Sequence, residues 1–335
     1  MAERLITMAH GGGGSRMSEL LEEMVFPLLG RAGLLEAEDA AAFSAPGGRM
    51  ALTTDSFVVR PLFFPGGDIG KLAVCGTVND LAMRGARPLY LTVGLILEEG
   101  LPFPVLERVL RSAGRWCEEA GVAVVAGDTK VVERGSADGL YINTSGVGVI
   151  PEGNEVSVTG ASPGDVLLVN GFIGDHEAAV LGQRDGFDLQ VSVSSDCAPL
   201  YGLVEVIQAA GRVHAMRDAT RGGLAAVLKE IASASGTAIE LVEESLPLRE
   251  EVRAVCEMLG LDPLLMANEG KLVAAVPEED AGGVLRAMSG HPLGGEAAVI
   301  GKVTAGRKGE VSLITPLGSH RLVRMPSGEQ FPRIC

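Results

Sequence analysis

A stretch rich in proline, glycine and serine, from Pro151 to Gly164, divides the sequence into two halves that each alternate helical and strand-like patterns. Such composition is typical of turns and linkers. The 335 residues are too many for one small module and suit two medium domains. We therefore expect a glycine-rich lead and helix over 1–40, an N-terminal domain over 41–152, a C-terminal domain over 153–310 and a C-terminal segment with a tail over 311–335.

Hydrophobic periodicity predicts the main elements of both halves. The predicted helices are 17–29, Ile69–Arg84, Phe103–Ala120, Ala198–Ala210, Arg221–Ser235, Arg249–Leu259 and Glu279–Met288. The predicted strands are Met50–Thr53, Ser56–Arg60, Pro88–Glu98, Val122–Ala126, Tyr141–Ile150, Val166–Asn170, Ala238–Val242, Lys271–Val276, Ala297–Val303, Glu310–Thr315 and Ser319–Arg324.

The balance of charged residues limits the partners of the chain. Its formal net charge is -15, and it contains no run of Lys and Arg. Binding to nucleic acid or to an anionic membrane relies on excess positive charge, so we expect neither partner. The sequence has no apolar run of transmembrane length and no signal-peptide pattern. Its five cysteines form no CxxC pair, which favours a reducing cytoplasm.

One glycine-rich segment is similar to a phosphate-binding loop but fails the pattern. In Gly66–Lys71, the first glycine of a Walker A loop is replaced by Pro65, and Leu72 stands in place of Ser or Thr. The sequence therefore carries no standard nucleotide-fold signature at this segment.

Four aspartates lie at predicted strand ends or helix starts: Asp55, Asp80, Asp128 and Asp218. Magnesium bound to a nucleotide usually takes one or two carboxylates in addition to phosphate oxygens and water. The alternative is that each aspartate caps a helix or a turn. The segment Arg217–Gly223 places Thr, Arg and two glycines at the mouth of a predicted helix, where backbone N–H groups attract phosphate. Its alternative is a glycine-rich turn with a surface arginine.

Two histidines are candidate site residues. His10 precedes the glycine run Gly11–Gly14, and His176 follows Gly174-Asp175. The pKa of histidine suits proton transfer near neutral pH, although a lone histidine is more often structural or solvated.

The last residue, Cys335, ends a segment that contains Pro326, Gly328 and Pro332. These residues cannot continue a helix, so the sequence predicts an extended tail. One hypothesis is a covalent carrier, in which the thiol moves between a loading site and a reaction site; the alternative is an incidental thiol. Its own carboxylate opposes thiolate formation, whereas Arg333 favours it.

The motifs together are similar to those of a known family over nearly the whole chain. They are ITMAHGGGG, FFPGGDIGKLAVCGTVNDLAMRGA, GDTKVV, RDATRGG, MANEGKL and the terminal PRIC. The chain thereby resembles the HypE family of hydrogenase maturation factors, which are carbamoyl dehydratases of the PurM-like (aminoimidazole ribonucleotide synthetase) superfamily. The terminal PRIC is specific to the family, whereas the Asp and Gly motifs are shared more widely.

The resemblance implies an α+β fold of two domains with a flexible C-terminal tail. The mixed N-terminal sheet would pair with that of a second subunit to form a dimer barrel, and the C-terminal domain would be an α/β sandwich. The implied reaction is the ATP-dependent dehydration of a carbamoyl group on Cys335 to a thiocyanate, with Mg²⁺ as cofactor. A HypF-like carbamoyltransferase would load the thiol, and a HypC–HypD complex would accept the cyanide for the iron of a [NiFe] hydrogenase.

The resemblance also implies roles for individual residues. Glu269 would be the base that removes an N–H proton, Lys130 would be its charge partner, and Cys335 would carry the substrate. Contacts to ATP or phosphate are implied for Lys71, Asn79, Asp128, Asp218, Thr220 and Arg221. Ligands of Mg²⁺ are implied at Asp55, Asp80 and Asp128.

Two positions depart from the family pattern. Glu177 stands where the family usually has Gly after Gly-Asp-His, and Ala219 stands where it usually has Pro. Two other functions compete with the implied one. A selenophosphate synthetase is expected to carry a reactive Cys or selenocysteine with a Lys in its N-terminal loop, whereas Gly11–Gly14 has neither. A carrier or scaffold would present the thiol and bind nucleotide without turnover that depends on the tail.

Overall fold

Two β-sheets, each covered by helices, form the two domains of the chain. The computed structural model describes residues 4–12, 14–29, 46–184, 192–324, 331 and 333–335. Parts of the predicted N-terminal lead and tail, at 30–45 and 325–330, lie outside the described residues. The predicted α+β architecture of two domains is confirmed.

The helices and strands follow each other in an order close to the prediction. The helices are α1 (Ser15–Leu20), α2 (Phe26–Leu29), α3 (Ile69–Met83), α4 (Phe103–Ala120), α5 (Asp175–Leu181), α6 (Tyr201–Ala210), α7 (Gly223–Ser235), α8 (Glu250–Leu259) and α9 (Glu278–Ser289). The strands are β1 (Arg49–Phe57), β2 (Phe63–Phe64), β3 (Gly67–Asp68), β4 (Arg87–Glu98), β5 (Ala123–Val132), β6 (Leu140–Ile150), β7 (Val166–Val169), β8 (Ala215–Asp218), β9 (Ala238–Val242), β10 (Leu272–Val276), β11 (Ala298–Thr304), β12 (Glu310–Ile314) and β13 (His320–Leu322). A π-helical turn, Leu21–Val25, interrupts the single helix predicted at 17–29.

The N-terminal sheet has the strand order β1-β6-β4-β5, and its last pair is parallel. Buried residues alternate with half-exposed ones along β6, as expected for a sheet with one covered face. The inner face packs against α3, and α4 covers α3 in turn. The outer face leaves Leu52 76% exposed and Ile96 42% exposed.

Two strands are longer than predicted, and candidate residues that were expected in turns therefore lie within strands. The runs Met50–Thr53 and Ser56–Arg60 are parts of one strand, because Asp55 pairs in register with Thr144 of β6. Strand β5 does not end at Ala126 but continues to Val132, because β4 provides a parallel partner over its whole length. The segment 127–130 is therefore strand, and not the turn that its glycine and aspartate suggest.

The C-terminal sheet has the order β13-β12-β9-β11-β7-β10-β8. Helix α7 packs against one face, and α6 and α9 pack against the other. Every residue of β10 is buried, which explains the unbroken apolar run Leu272–Val276 in its sequence. The sheet extends through β12 and β13, beyond the predicted domain limit at residue 310.

Helix α3 joins the two domains. It is apolar almost all round, and all its residues except Asp80 are buried. It contacts the N-terminal sheet on one side and β8 and α6 of the C-terminal domain on another. Residues near its end therefore lie where the two domains meet.

Within the described residues, none of the helices combines the length and the apolar character needed to cross a membrane.

Candidate active site

Three of the four aspartates singled out in the sequence lie together between the domains. Asp55 lies on the inner face of β1, Asp80 near the end of α3 and Asp218 at the end of β8. Burial, partly opposed by the N–H of Ser56, raises the pKa of Asp55, and the charge of Asp80 raises it further. Burial likewise raises the pKa of Asp80, which accepts a 2.7 Å hydrogen bond from the Thr53 hydroxyl.

Asp218 is the most perturbed member of this group. It is 6% exposed, and burial together with the charges of Asp80 and Asp55 raises its pKa to about 7. The Arg217 guanidinium opposes this rise. Carboxylates that repel each other at low exposure are typical of sites that bind a cation or a reacting group.

The capping alternative does not describe these three aspartates. Helix α3 is capped by a different aspartate, Asp68, which accepts from the N–H groups of Gly70 at 2.8 Å and Lys71 at 3.1 Å. Among the described helices, none begins at Asp55, Asp80 or Asp218. The group is therefore not explained by local backbone needs.

The N-terminus of α7 adjoins this group. Gly222 precedes the helix with φ of 77°, and Gly223 begins it with φ of 57°, both in the region that favours glycine. The backbone carbonyl of half-buried Thr220 accepts from the N–H of Gly223 at 2.9 Å, and Arg221 is exposed and favours the charged form of Asp55. This arrangement of helix N–H groups, a hydroxyl and a guanidinium suits a phosphate group.

Asp128 and Lys130 lie on the other side of the N-terminal sheet. They pair with Gly94 and Ile96 on the half-exposed outer face, and their side chains form an exposed ion pair at 2.7 Å. The hydrogen bond from Lys130 lowers the pKa of Asp128. Within one chain, these two residues are not brought together with Asp55, Asp80 or Glu269.

Glu269 occupies the centre of the interdomain region. It is 3% exposed and lies just before β10. Burial raises its pKa well above the usual value, and nearby Cys197 and the negative charges of Asp196, Asp218 and Asp55 raise it further. A carboxylate with a raised pKa is a stronger proton acceptor once it is ionised.

Several contacts hold the turn that carries Glu269. The buried carboxylate of Asp196 accepts 3.1 Å hydrogen bonds from the N–H groups of both Glu269 and Gly270. The Lys271 ammonium forms an ion pair with Asp196 at 3.1 Å. A methyl group at Gly270 would overlap the Asp196 carbonyl, so the two segments approach at a point that requires glycine.

Asn79, a predicted phosphate contact, binds backbone groups of the C-terminal domain. Its Nδ2 donates to the carbonyls of Ala198 at 3.1 Å and Glu269 at 3.3 Å, and its Oδ1 accepts from the N–H of Leu200 at 2.8 Å. In this structure it fixes the Glu269–Gly270 turn to α3.

Lys71, another predicted phosphate contact, lies in a cleft of about 470 Å³ between the domains, and not beside Asp55 and Asp80. Its ammonium donates to the Gly66 carbonyl at 2.9 Å and lies 4.1 Å from the centre of the Trp116 ring. Asp196 and Lys271 line the same cleft.

The end of the tail is docked on its own subunit. The N–H of Val58 donates to the terminal carboxylate of Cys335 at 3.2 Å, and the N–H of Arg60 donates to the Arg333 carbonyl at 3.1 Å. Ile334 is 4% exposed, and Cys335 packs against the core cluster that includes Cys75 and Cys197. The last residue is therefore held against the core of the N-terminal domain.

The two candidate histidines have different surroundings. His10 bonds Thr7 in a 3-10 turn and packs edge-on against Phe103. His176 is completely buried at the start of α5. One ring nitrogen is hydrogen-bonded to the Ser195 hydroxyl, and the other is hydrogen-bonded to the Ile334 carbonyl in the tail. His176 therefore belongs to the site region, whereas His10 is structural.

Both departures from the family pattern have a local explanation. The buried carboxylate of Glu177 accepts a 2.6 Å hydrogen bond from the N–H of Ala267, and burial raises its pKa. Ala219 donates its N–H to the Lys271 carbonyl at 2.9 Å, a bond that proline cannot make.

Asp196, Lys271 and Ser195 were missed by the sequence analysis. Asp196 lies 73 residues from Glu269, and no local motif marks a contact of that separation. Lys271 lies within the MANEGKL motif, which was the available signal, but the sequence analysis gave it no role. Among the described residues, no three His, Cys, Asp or Glu side chains are arranged to hold a metal ion on their own.

Family models and known relatives agree with this architecture. The model for the AIR synthase related protein, N-terminal domain, matches residues 37–150, and the model for its C-terminal domain matches 162–314. A carbamoyl dehydratase HypE from Rhizobium leguminosarum bv. viciae is 50% identical over 337 residues, covering 100% of this chain and 96% of the relative.

Solved structures give the same result. The crystal structure of a hydrogenase maturation protein HypE in complex with ATP is 46% identical, with a TM-score of 0.92, covering 98% of this chain and 99% of that one. A HypE chain in a crystal structure of a HypE–HypF complex is 47% identical, with a TM-score of 0.81, covering 93% of this chain and 100% of that one. The chain belongs to the HypE family of carbamoyl dehydratases, built from the two AIR synthase related domains of the PurM-like fold.

Proposed function

We propose that the chain dehydrates a carbamoyl group, carried as a thiocarboxamide on the sulfur of Cys335, to a thiocyanate at the expense of ATP. The product would supply cyanide for the iron of a [NiFe] hydrogenase. The observation that carries the proposal is the position of Glu269. Its raised pKa has contributions from Asp55 and Asp218 in the aspartate cluster and from Asp196, which directly follows the Ser195 that His176 links to the tail.

The reaction takes two steps. The amide oxygen of the carbamoyl group attacks the γ-phosphorus of ATP, ADP leaves, and loss of one N–H proton gives an O-phosphorylated imidate on the sulfur. The remaining N–H proton is then removed, the C–O bond breaks, phosphate leaves with the oxygen, and S–C≡N remains. Phosphoryl transfer depends mainly on positioning and charge neutralisation, so it does not require a nucleophile from the protein.

The residues divide between the two steps. Asp218, Thr220 and Arg221 lie where the α7 N-terminus would receive phosphate oxygens, and we propose these three as the ATP contacts. Lys71 and Asn79 bond backbone groups of the protein instead. Glu269 would take the N–H proton in the second step. The backbone of buried Glu269 is held by the Asp196 carboxylate at its N–H and by Asn79 at its carbonyl, which fixes the position of the residue.

Magnesium fits the half-buried Asp55 and Asp80, whose carboxylates repel each other and are both shifted toward protonation. When bound to nucleotide, Mg²⁺ neutralises charge on the phosphates. We propose Asp55 and Asp80 as its ligands. Asp128 points to the opposite face of the sheet, so it could contribute only across an interface between subunits.

A homodimer that covers the outer face of the N-terminal sheet is part of the proposal. That face exposes Leu52 and Ile96 and carries the ion pair of Asp128 and Lys130. Lys130 and Glu269 lie on opposite sides of the sheet in one chain, so a charge-partner role for Lys130 requires this second subunit. We propose a HypF-like carbamoyltransferase as the enzyme that loads Cys335 and a HypC–HypD complex as the acceptor of cyanide.

The test is the mass of the C-terminal peptide. The full chain is carbamoylated at Cys335, incubated with Mg-ATP and digested. Loss of one water with release of one phosphate is expected, and Cys335→Ala should abolish the ATP turnover that depends on carbamoylation. A carbamoyl group that persists in protein shown to bind ATP would refute the dehydratase and favour the carrier.

A further inference from the structure

The imidazole of His176 links the docked tail to the segment before α6. Its Nε2 lies 3.0 Å from the Ile334 carbonyl oxygen, and its Nδ1 lies 2.8 Å from the Ser195 hydroxyl. The ring packs edge-on against Phe64, with a centroid distance of 5.3 Å. Both nitrogens of a completely buried histidine are therefore used, and one of them by the tail.

The chemistry of the partners fixes the direction of these bonds. A carbonyl oxygen only accepts, so Nε2 carries the hydrogen and donates to Ile334. Burial lowers the pKa of His176 and favours the neutral ring, so Nδ1 accepts from the Ser195 hydroxyl. The Ser195 oxygen accepts in turn from the N–H of Cys197 at 3.1 Å.

The residue between Ser195 and Cys197 holds the base-bearing turn. Asp196 accepts from the N–H groups of Glu269 and Gly270, each at 3.1 Å. The segment 195–197 is further fixed to the N-terminal domain, because the N–H of Ser195 donates to the Pro65 carbonyl at 2.8 Å. The contact of His176 with the tail and the position of Glu269 therefore both depend on the segment 195–197.

We propose that His176 is a positioning residue that couples docking of the tail to the placement of Glu269. The docked Ile334 carbonyl holds the ring, the ring orients the Ser195 hydroxyl, and segment 195–197 holds the Glu269–Gly270 turn through Asp196. The coupling brings the base into position when the tail is present. It rests on the proposed function, in which the tail carries the substrate.

The experiment uses three variants and one matched control in the full chain. His176→Phe keeps the ring and its packing on Phe64 but removes both hydrogen bonds. His176→Gln keeps a donor near the Nε2 position, and Ser195→Ala breaks the link behind the ring. The control is His214→Gln, which alters a histidine paired with Asp165 away from this region.

Two readouts are independent of dehydratase activity. The first is the alkylation rate of Cys335 by N-ethylmaleimide, followed by the mass of the C-terminal peptide. The other cysteines, Cys75, Cys117, Cys197 and Cys256, are buried and serve as internal references. The second is hydrogen–deuterium exchange of the Glu269 and Gly270 amides. Single-turnover dehydration of the carbamoylated chain is measured alongside.

In His176→Phe, alkylation of Cys335 and exchange of the two amides are expected to rise roughly tenfold, the usual order for losing a buried hydrogen bond. Single-turnover dehydration should fall by a similar factor at unchanged ATP affinity. His176→Gln should restore each readout to within a few-fold of wild type. Ser195→Ala should raise amide exchange, and His214→Gln should change nothing.

Alkylation that rises in His176→Phe without a change in amide exchange would overturn the coupling, because His176 would then hold only the tail. Unchanged alkylation would overturn the docking role itself. If His176→Phe does not fold, unchanged amide exchange in Ser195→Ala overturns the coupling on its own. Wild-type protein that shows both tail protection and amide protection but performs no dehydration would refute the proposed function and leave the coupling standing.

Discussion

Substitution of Asp218 by asparagine tests whether the cluster of Asp55, Asp80 and Asp218 lowers the free energy of unfolding. In the folded chain the pKa of Asp218 is raised from 3.8 to about 7 by burial and by the neighbouring charges of Asp80 and Asp55. The carboxyl group therefore opposes folding whenever it is ionised. Asparagine has nearly the same shape and no charge, so it removes this opposition.

The sign and size follow from proton linkage. Below pH 4, Asp218 is protonated in both the folded and the unfolded chain and contributes nothing. Between about pH 4 and pH 7 only the folded chain retains the proton, so stability falls as pH rises; above about pH 7 the whole cost is present. A pKa change from 3.8 to about 7 corresponds to at most roughly 4 kcal/mol, at about 1.4 kcal/mol per pKa unit.

The assay is denaturant unfolding of the wild type and Asp218→Asn at pH 5 and pH 8 without nucleotide. The variant is expected to be more stable by up to about 4 kcal/mol at pH 8 and by less than about 2 kcal/mol at pH 5. Asp128→Asn, an exposed carboxylate paired with Lys130, is the control and should show no such pH dependence. A stabilisation of equal size at both pH values, or none at pH 8, would refute the reasoning.

Three further predictions address the base, its turn and the subunit interface. Glu269→Gln should lower single-turnover dehydration by roughly 10²–10⁴-fold with ATP binding retained; a near-normal rate would assign the proton transfer elsewhere. Gly270→Ala should lower the Tm and destabilise the fold by roughly 1–3 kcal/mol, because the methyl group overlaps the Asp196 carbonyl; an unchanged Tm contradicts the close approach. Leu52→Asp, at a residue 76% exposed, should convert the proposed dimer to a monomer in sedimentation measurements, and an unchanged sedimentation coefficient argues against this interface.

The sequence predicted the elements well where periodicity was long, as in α4. Its apolar residues recur at helical spacing, and the helix ends at Gly121, which has a left-handed φ of 68°. The sequence did not predict the full length of β5, because Gly127 and Asp128 are residue types that are typical of a turn. The strand continues because β4 pairs with it, and such a partner is not encoded within the segment itself.

The candidate site was predicted in part for the same reason. Sequence motifs identified Asp55, Asp80 and Asp218, which the structure brings together, but they also grouped Asp128 with them. A residue in a strand points to one face or the other, and the extra residue of the bulge near Val125 sets which one. The contact of Asp196 with the Glu269 turn could not be read from sequence, because it joins segments of different elements.

The cluster of three aspartates is the strongest argument that this region binds a charged ligand. Asp55, Asp80 and Asp218 come from three separate elements, and each has a pKa raised first of all by burial. A fold selected for stability alone would replace such a group with apolar side chains at a gain. The nearby arginines relieve the repulsion only in part, since the pKa of each carboxyl group remains raised. The remaining loss of stability is offset when a cation and its phosphate groups bind, so the residues that destabilise the unliganded protein stabilise the liganded one.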